Sequence, residues 1–227
     1  MPQMSRIENF GKYTEYDEGS DVSVAAHTIT FTNARPSTDG FRVFKDKGVA
    51  YFNGNFEHYF RAKITAVDLG GGGIFLPVWM LANSVGSWME VHLSGSPSLV
   101  VSFMNGEGNP YGIQVEEDIN SNQYSNFSSF SWSVGTEYFF TVKRDESVGD
   151  YGTLYVYICT GNYKGKSGSS LLDTLSLALY DTKVDFRYIY GLTNYEKNPE
   201  APQTISGYVK DLQLVPSYTP HPCHFNG

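Results

Sequence analysis

The chain has 227 residues, of which 41% are hydrophobic, 15% aromatic and 18% charged. Its formal net charge of -8 argues against nucleic acid or an anionic membrane as a partner, since both require a basic surface. The N-terminus lacks the apolar core of a secretion signal, and no window approaches the roughly 20 apolar residues of a membrane span. We therefore expect no signal peptide and no membrane insertion.

Short segments in which apolar and polar residues alternate follow one another along the chain and are separated by Gly, Asp, Asn and Pro. This pattern is typical of half-buried antiparallel strands joined by turns. It predicts strands, in chain order, at residues 12–16, 27–32, 41–44, 56–67, 74–82, 88–93, 99–104, 113–116, 130–134, 138–143, 154–159, 171–179, 187–193 and 204–215. No helix is expected, so the fold class is all-β, an antiparallel sandwich or barrel.

We divide the chain into three segments of one domain. Residues 1–40 are N-terminal lead-in strands, residues 41–215 form the sandwich, and residues 216–227 form an extended Pro-rich C-terminal arm. The three prolines of the arm lack the backbone donor that a strand requires. We expect the arm to dock on its own sandwich or on a neighbouring subunit. Its potential ligands His221, Cys223 and His224 lack the spacing of a closed zinc site.

The two cysteines, Cys159 and Cys223, are too few and too far apart to define a disulfide framework, so we expect free thiols. Cys159 should lie on the outer side of its strand, with Tyr155 and Tyr157. His58 falls on the apolar face of its strand, and we expect a core imidazole there rather than a ligand.

Three motifs in the second half of the chain carry a family resemblance. They read VGTEY leading to VKRD (134–145), GTLYVYI (152–158) and ISGYVKDL (205–212). They resemble the concanavalin A-like lectin/glucanase superfamily, in the laminin-G-like form common in bacteriophage and metagenomic sequences. The resemblance covers about residues 41–214 and implies a jelly-roll sandwich of two curved antiparallel sheets, whose concave face receives glycan in many relatives. The superfamily hosts lectins, glycanases, lyases and structural modules, so the resemblance does not choose among them.

Trp88, Glu90 and His92 alternate along a predicted strand, so their side chains should project from one face. Sugar sites use this mixture, because sugar C–H faces stack on an aromatic ring and the hydroxyls bond to polar groups. The predicted glycan-binding residues are Trp88, Glu90, His92, Tyr155, Tyr157 and Tyr188. A solvated strand face, and for the tyrosines a subunit interface, are the alternatives.

A glucanase requires two carboxylates, which laminarinase-like members of the superfamily supply as E-x-D-x-x-E along one strand. The strand with Glu90 lacks the second Glu. In the run Glu116-Glu117-Asp118, only the first and third residues share a strand face. We therefore expect no catalytic residues of this type.

Alginate lyases of this fold use His and Tyr to move a proton while Arg neutralises the uronate carboxylate. The segments Glu90-Val91-His92 and Arg187 to Tyr190 echo their motifs in the same order. A lyase would thus use His92, Tyr190 and Arg187. Glu90 replaces the neutral Gln of the family motif, and its charge would repel an anionic substrate.

Glu15, Asp17 and Asp211 offer the hard oxygens that calcium prefers, provided that the first and last strands pair. No other cofactor is expected.

These observations together predict a noncatalytic structural, decoration or surface protein of a virion or extracellular assembly, built on a lectin-like sandwich. Its expected partners are copies of itself, other assembly subunits, and a glycan. A soluble carbohydrate-binding lectin module and a jelly-roll polysaccharide lyase remain the alternatives.

Overall fold

The computed structural model describes residues 7–70, 73–105, 112–195 and 203–216, and every structural statement below concerns these residues. The C-terminal arm beyond Pro216, with Cys223 and the two histidines beside it, lies outside them.

The described residues form fourteen strands, one α-helix and a short 3₁₀ turn at Phe10–Lys12. The strands are β1 Thr14–Asp17, β2 Val22–Val24, β3 Thr28–Ala34, β4 Phe41–Asp46, β5 Phe56–Asp68, β6 Ile74–Ala82, β7 Ser98–Asn105, β8 Gly112–Ile119, β9 Asn122–Phe127, β10 Glu137–Asp145, β11 Thr153–Thr160, β12 Ser170–Ala178, β13 Tyr188–Thr193 and β14 Thr204–Pro216. Helix α1 covers Trp88–Leu93, and its six residues are too few to cross a bilayer.

The strands form two seven-stranded antiparallel sheets. The first sheet has the order β12-β11-β10-β5-β14-β3-β2, and the second has the order β1-β4-β13-β6-β7-β8-β9. The main apolar core lies between them and contains Phe60, Phe103, Phe140 and Trp79. This arrangement confirms the all-β sandwich that the period-two patterning predicts. The lead-in strands β1 to β3 belong to the same two sheets.

The predicted strand at residues 88–93 is wrong, because this segment is helix α1. Ser87 and Glu90 form a capping box: the Ser87 side chain accepts from the Glu90 backbone N–H, and the Glu90 carboxylate accepts from the Ser87 N–H. Trp88 and His92, which alternate as in a strand, are also four residues apart and therefore share a helix face. Sequence alternation over six residues is too short to exclude that second pattern.

The strand prediction differs from the structure at three further places. Residues 130–134 are not a strand, whereas β9 and β2 are strands that the alternation did not indicate. β9 reads Asn-Gln-Tyr-Ser-Asn-Phe and is mostly exposed, because it pairs on one side only as the edge of the second sheet. An edge strand without a buried face carries no hydrophobic period.

Two residue-level predictions hold. His58 is a buried core imidazole that accepts a hydrogen bond from the Trp79 indole N–H at 3.2 Å. Cys159 pairs in register with Phe139 and is a buried free thiol.

Candidate functional site

Helix α1 lies on the outer face of the second sheet, opposite to the main core. Trp88 and Val91 pack there against Met80, Val100 and Tyr190 in a second apolar cluster. The backbone fixes the helix as well: the Trp88 N–H donates to the Asn194 carbonyl and the Met89 N–H to the Tyr195 carbonyl, at 3.1 and 3.0 Å. The helix therefore covers part of the sheet face for which the sequence pattern predicts a glycan site.

A pair of carboxylates lies beneath this helix. Glu116 and Asp118 point to the outer face of β8, opposite Val100 and Ser98 of β7. The Trp88 indole N–H donates to Glu116 Oε1 at 2.9 Å, and His92 Nδ1 lies 2.9 Å from Asp118 Oδ1. Alternation correctly indicated that these two carboxylates share a face.

The carboxylates receive further donors from neighbouring strands. Gln114 Nε2 donates to Glu116 Oε2 at 2.8 Å, and the Ser98 hydroxyl donates to Asp118 Oδ2 at 3.1 Å. Burial, together with the charge of Asp118, raises the pKa of Glu116 to about 9. Glu116 is therefore protonated at neutral pH.

This cluster anchors the helix and is closed to a sugar. Trp88 is only 3% exposed, and its ring is stacked between His92 and Tyr195 at centroid distances of 5.5 and 5.1 Å. The prediction that Trp88, Glu90 and His92 project together from a strand is wrong, because the helix turns Trp88 and His92 inward and Glu90 outward. The Glu90 side chain is 67% exposed.

An open groove lies beside α1, where Glu90 emerges. It has a volume of about 300 Å³ and lies between the helix and strands β1 and β4. Its polar and aromatic lining residues are Tyr16, Glu18, Arg42, Ser87, Glu90 and Asn194.

Strand pairing builds the floor of this groove. Tyr16 of β1 and Arg42 of β4 are direct partners in the register, so they share a face, and the Arg42 guanidinium lies 4.3 Å from the centre of the Tyr16 ring. Arg42 Nη1 is 3.5 Å from Glu90 Oε2. Arg42 Nε is buried and has no hydrogen-bond partner among the described residues. The Tyr16 hydroxyl donates to Glu18 at 2.6 Å, which fixes the ring.

Of these residues, sequence reasoning identified only Glu90. Arg42 stands between Phe41 and Val43, and this alternation already indicates an outward side chain. The contact with Tyr16 depends on the pairing of β1 with β4, which no local pattern reveals.

The three residues of the lyase alternative do not converge on one open site. The Tyr190 hydroxyl is buried, donates to the Ser84 carbonyl and accepts from the Gly86 N–H, and burial raises its pKa. Arg187 is held by a bidentate ion pair with Asp46. His92 is bonded to Asp118. A substrate cannot reach the buried Tyr190.

The predicted tyrosines also separate. Tyr155 and Tyr157 of β11 lie on the first sheet, with parallel rings 6.3 Å apart, and Lys164 Nζ lies 3.2 Å from the Tyr157 ring centre. Tyr188 belongs to β13 in the second sheet and contacts Phe44. The three rings therefore do not form one platform.

The premise of the calcium site is wrong, because β1 pairs with β4 and not with the last strand. Asp211 of β14 accepts from Arg61 Nε at 2.6 Å, and Asp17 accepts from the Val22 N–H at 2.9 Å. No cluster of three or more His, Cys, Asp or Glu side chains that suits a metal occurs within the described ranges. Glu15, Asp17 and Asp211 are not brought together.

No protein-family model and no curated protein matches this sequence. Solved structures do match. Lectin II from Ulex europaeus superposes with a TM-score of 0.61 at 11% identity, over 95% of this chain and 99% of that one. The exoplasmic domain of VIP36, solved with Ca²⁺ and Man3GlcNAc, superposes with a TM-score of 0.58 at 10% identity, over 92% of this chain and 85% of that one. Alginate lyase Aly36B superposes with a TM-score of 0.55 at 15% identity, over 90% of this chain and 86% of that one. The described sandwich therefore has the concanavalin A-like jelly-roll fold that lectins and lyases share.

Proposed function

We propose that the protein is a noncatalytic carbohydrate-binding module and that the groove beside α1 is its sugar site. One observation carries this proposal: the Tyr16 ring, 39% exposed, lies beside a guanidinium and two carboxylates in an open groove. An aromatic ring contacts the C–H face of a sugar, while Arg42, Glu18 and Glu90 can bond to its hydroxyls. The fold shared with the lectin of Ulex europaeus is consistent with this proposal.

The charges of the groove favour a neutral glycan. Among its described lining residues Arg42 is the only cation, and this guanidinium already faces Glu90 and the Tyr16 ring. A uronate or sialate carboxylate would approach Glu18 and Glu90 without a free cation to offset the repulsion. The net charge of -8 acts in the same direction.

The test is a glycan array followed by calorimetric titration of the sugar that binds. Replacing Tyr16→Ala should weaken binding about tenfold, since a stacked aromatic contributes about 1.4 kcal/mol. Tyr151→Ala is the matched control, because Tyr151 is 38% exposed and lies outside the groove. An equal loss of sugar affinity in both variants, or an affinity that Tyr16→Ala leaves unchanged, would contradict the proposal.

A structural role in an assembly is the second candidate, and one observation favours it. Leu171 and Leu172 are adjacent on β12, the edge strand of the first sheet, and are 50% and 41% exposed. Exposed apolar side chains on a sheet edge are typical of surfaces that contact another chain. Sedimentation of wild-type protein and of a variant with both leucines replaced tests this role. Virion membership and an extracellular location stay predictions of the sequence.

A further inference from the structure

A second cavity lies at one end of the sandwich, away from α1. It is formed by the β4–β5 loop and the β10–β11 turn and has a volume of about 430 Å³. Small-molecule pockets have volumes of roughly 300–1,000 Å³. Its lining residues are Tyr51, Phe52, Asn53, Gly54, Asn55, Phe56, His58, Glu146, Ser147 and Leu214.

The cavity combines an apolar floor with a polar rim. Phe52, Phe56 and Leu214 are buried and form the floor, whereas Asn53 and Ser147 are exposed at the rim. Tyr51 is 52% exposed and its ring makes an edge contact with Phe52 at 4.9 Å. The floor therefore suits a flat apolar ring that Tyr51 can also contact.

His58 lines this cavity, and its contacts fix both the orientation and the tautomer of its ring. Its ring is fixed by stacking on Phe56 at 4.5 Å. The Trp79 indole N–H can only donate, so His58 Nδ1 must be the acceptor and the neutral ring carries its proton on Nε2. Nε2 has no hydrogen-bond partner among the described residues, and burial, with a smaller effect of Lys47, lowers the His58 pKa to about 3. The imidazole is thus a neutral donor that lacks an acceptor.

Within the described part of the chain, the lining residues include no Lys or Arg. Their single carboxylate, Glu146, is ion-paired with the buried Arg144 at 2.6 Å. The nearby Lys47 Nζ, 5.1 Å from the Tyr51 ring centre, already donates to the Glu8 carboxylate at 3.0 and 3.1 Å. An anion entering this cavity would therefore lose hydration without gaining a free cationic partner. The charge balance therefore selects an uncharged ligand.

We propose that this cavity is a second binding site, for a neutral aromatic compound that carries a carbonyl next to its ring. The ring contacts Phe52, Phe56 and Tyr51, and the carbonyl oxygen accepts from His58 Nε2–H. This site is separate from the sugar groove and does not depend on it.

Benzamide is the probe, and the full-length protein is titrated while the three tryptophan indole N–H resonances are followed by NMR. A hydrogen bond at His58 Nε2 polarises the ring and shifts the resonance of Trp79, which donates to Nδ1. Trp88 and Trp132 donate to Glu116 and to the Met104 carbonyl, so their resonances are internal controls. We expect a shift of the Trp79 resonance alone.

Matched ligands and variants complete the test. Toluene, which lacks the acceptor, should bind about fivefold more weakly than benzamide, and benzoate should not bind measurably. Tyr51→Ala should weaken the binding of benzamide about fivefold. Tyr180→Ala should leave that binding unchanged, because Tyr180 is 53% exposed but lies outside the cavity. Shifts of all three indole resonances or of none, benzoate binding equal to benzamide, or an unchanged affinity in Tyr51→Ala would each overturn the proposal. Substitution of His58 is avoided, because it would leave the buried Trp79 N–H without its acceptor.

Discussion

At the scale of single residues, Glu116 is the most perturbed group beneath helix α1. Its protonated state at neutral pH follows from burial beside Asp118, and its two oxygens accept from Trp88 and Gln114. In the unfolded chain Glu116 loses this proton near its ordinary pKa of 4.5, whereas in the folded chain its pKa is about 9. Within that window the folded state binds more protons, so its stability falls as the pH rises.

Replacing Glu116→Gln should remove this pH dependence, because Gln keeps the acceptor for Trp88 and cannot ionise. Wild-type stability should fall by up to about 1.4 kcal/mol per pH unit across the window, the value for one proton. The variant should match the wild type near pH 5 and exceed it at pH 8. Urea denaturation at a series of pH values measures both curves.

Glu117→Gln is the matched control for this experiment. Glu117 accepts from the Tyr180 N–H at 2.7 Å, and burial raises its pKa to about 7. Its replacement should therefore change only the part of the curve below about pH 7. Parallel curves for Glu116→Gln and wild type would show that Glu116 ionises normally in the folded protein.

At the scale of elements, six-residue helix α1 depends on its cap and on tertiary contacts, because a helix this short is unstable alone. Ser87→Ala removes the side-chain acceptor of the Glu90 N–H and should cost about 1 kcal/mol of unfolding free energy. Denaturant unfolding measures this cost. Ser125→Ala, at an exposed serine of β9, is the control and should have little effect. Equal stability of Ser87→Ala and wild type would show that the capping box does not hold the helix.

At the scale of the whole molecule, the exposed leucines on the edge of the first sheet lead to a prediction about association between copies. β12 and β9 are neighbouring edges, linked by the Asn126 side chain, which donates to the Ser176 carbonyl at 3.0 Å. If Leu171 and Leu172 mediate assembly, wild-type protein should sediment as an oligomer and the Leu171→Lys/Leu172→Lys variant as a monomer, because buried lysines oppose the contact. Equal sedimentation of the two proteins would show that copies do not associate through the β12 edge.

Three features could be predicted from the amino-acid sequence: the sandwich, the core imidazole of His58 and the shared face of Glu116 and Asp118. These depend on period-two alternation, which is a local property of each strand and survives whichever strand becomes its neighbour. Alternation failed at Trp88 to Leu93, where a capping box and contacts with Asn194 and Tyr195 made a helix out of an ambiguous pattern.

The groove and the end cavity could not be predicted from the sequence, because both depend on tertiary contacts. The groove requires Tyr16 opposite Arg42, and the end cavity requires the 47–55 loop beside the β10–β11 turn. Both are contacts between segments distant in the chain, and the energy of such contacts appears only after the sheets are assembled. A side chain's direction is set locally, whereas the neighbour that gives it a chemical role is set by topology.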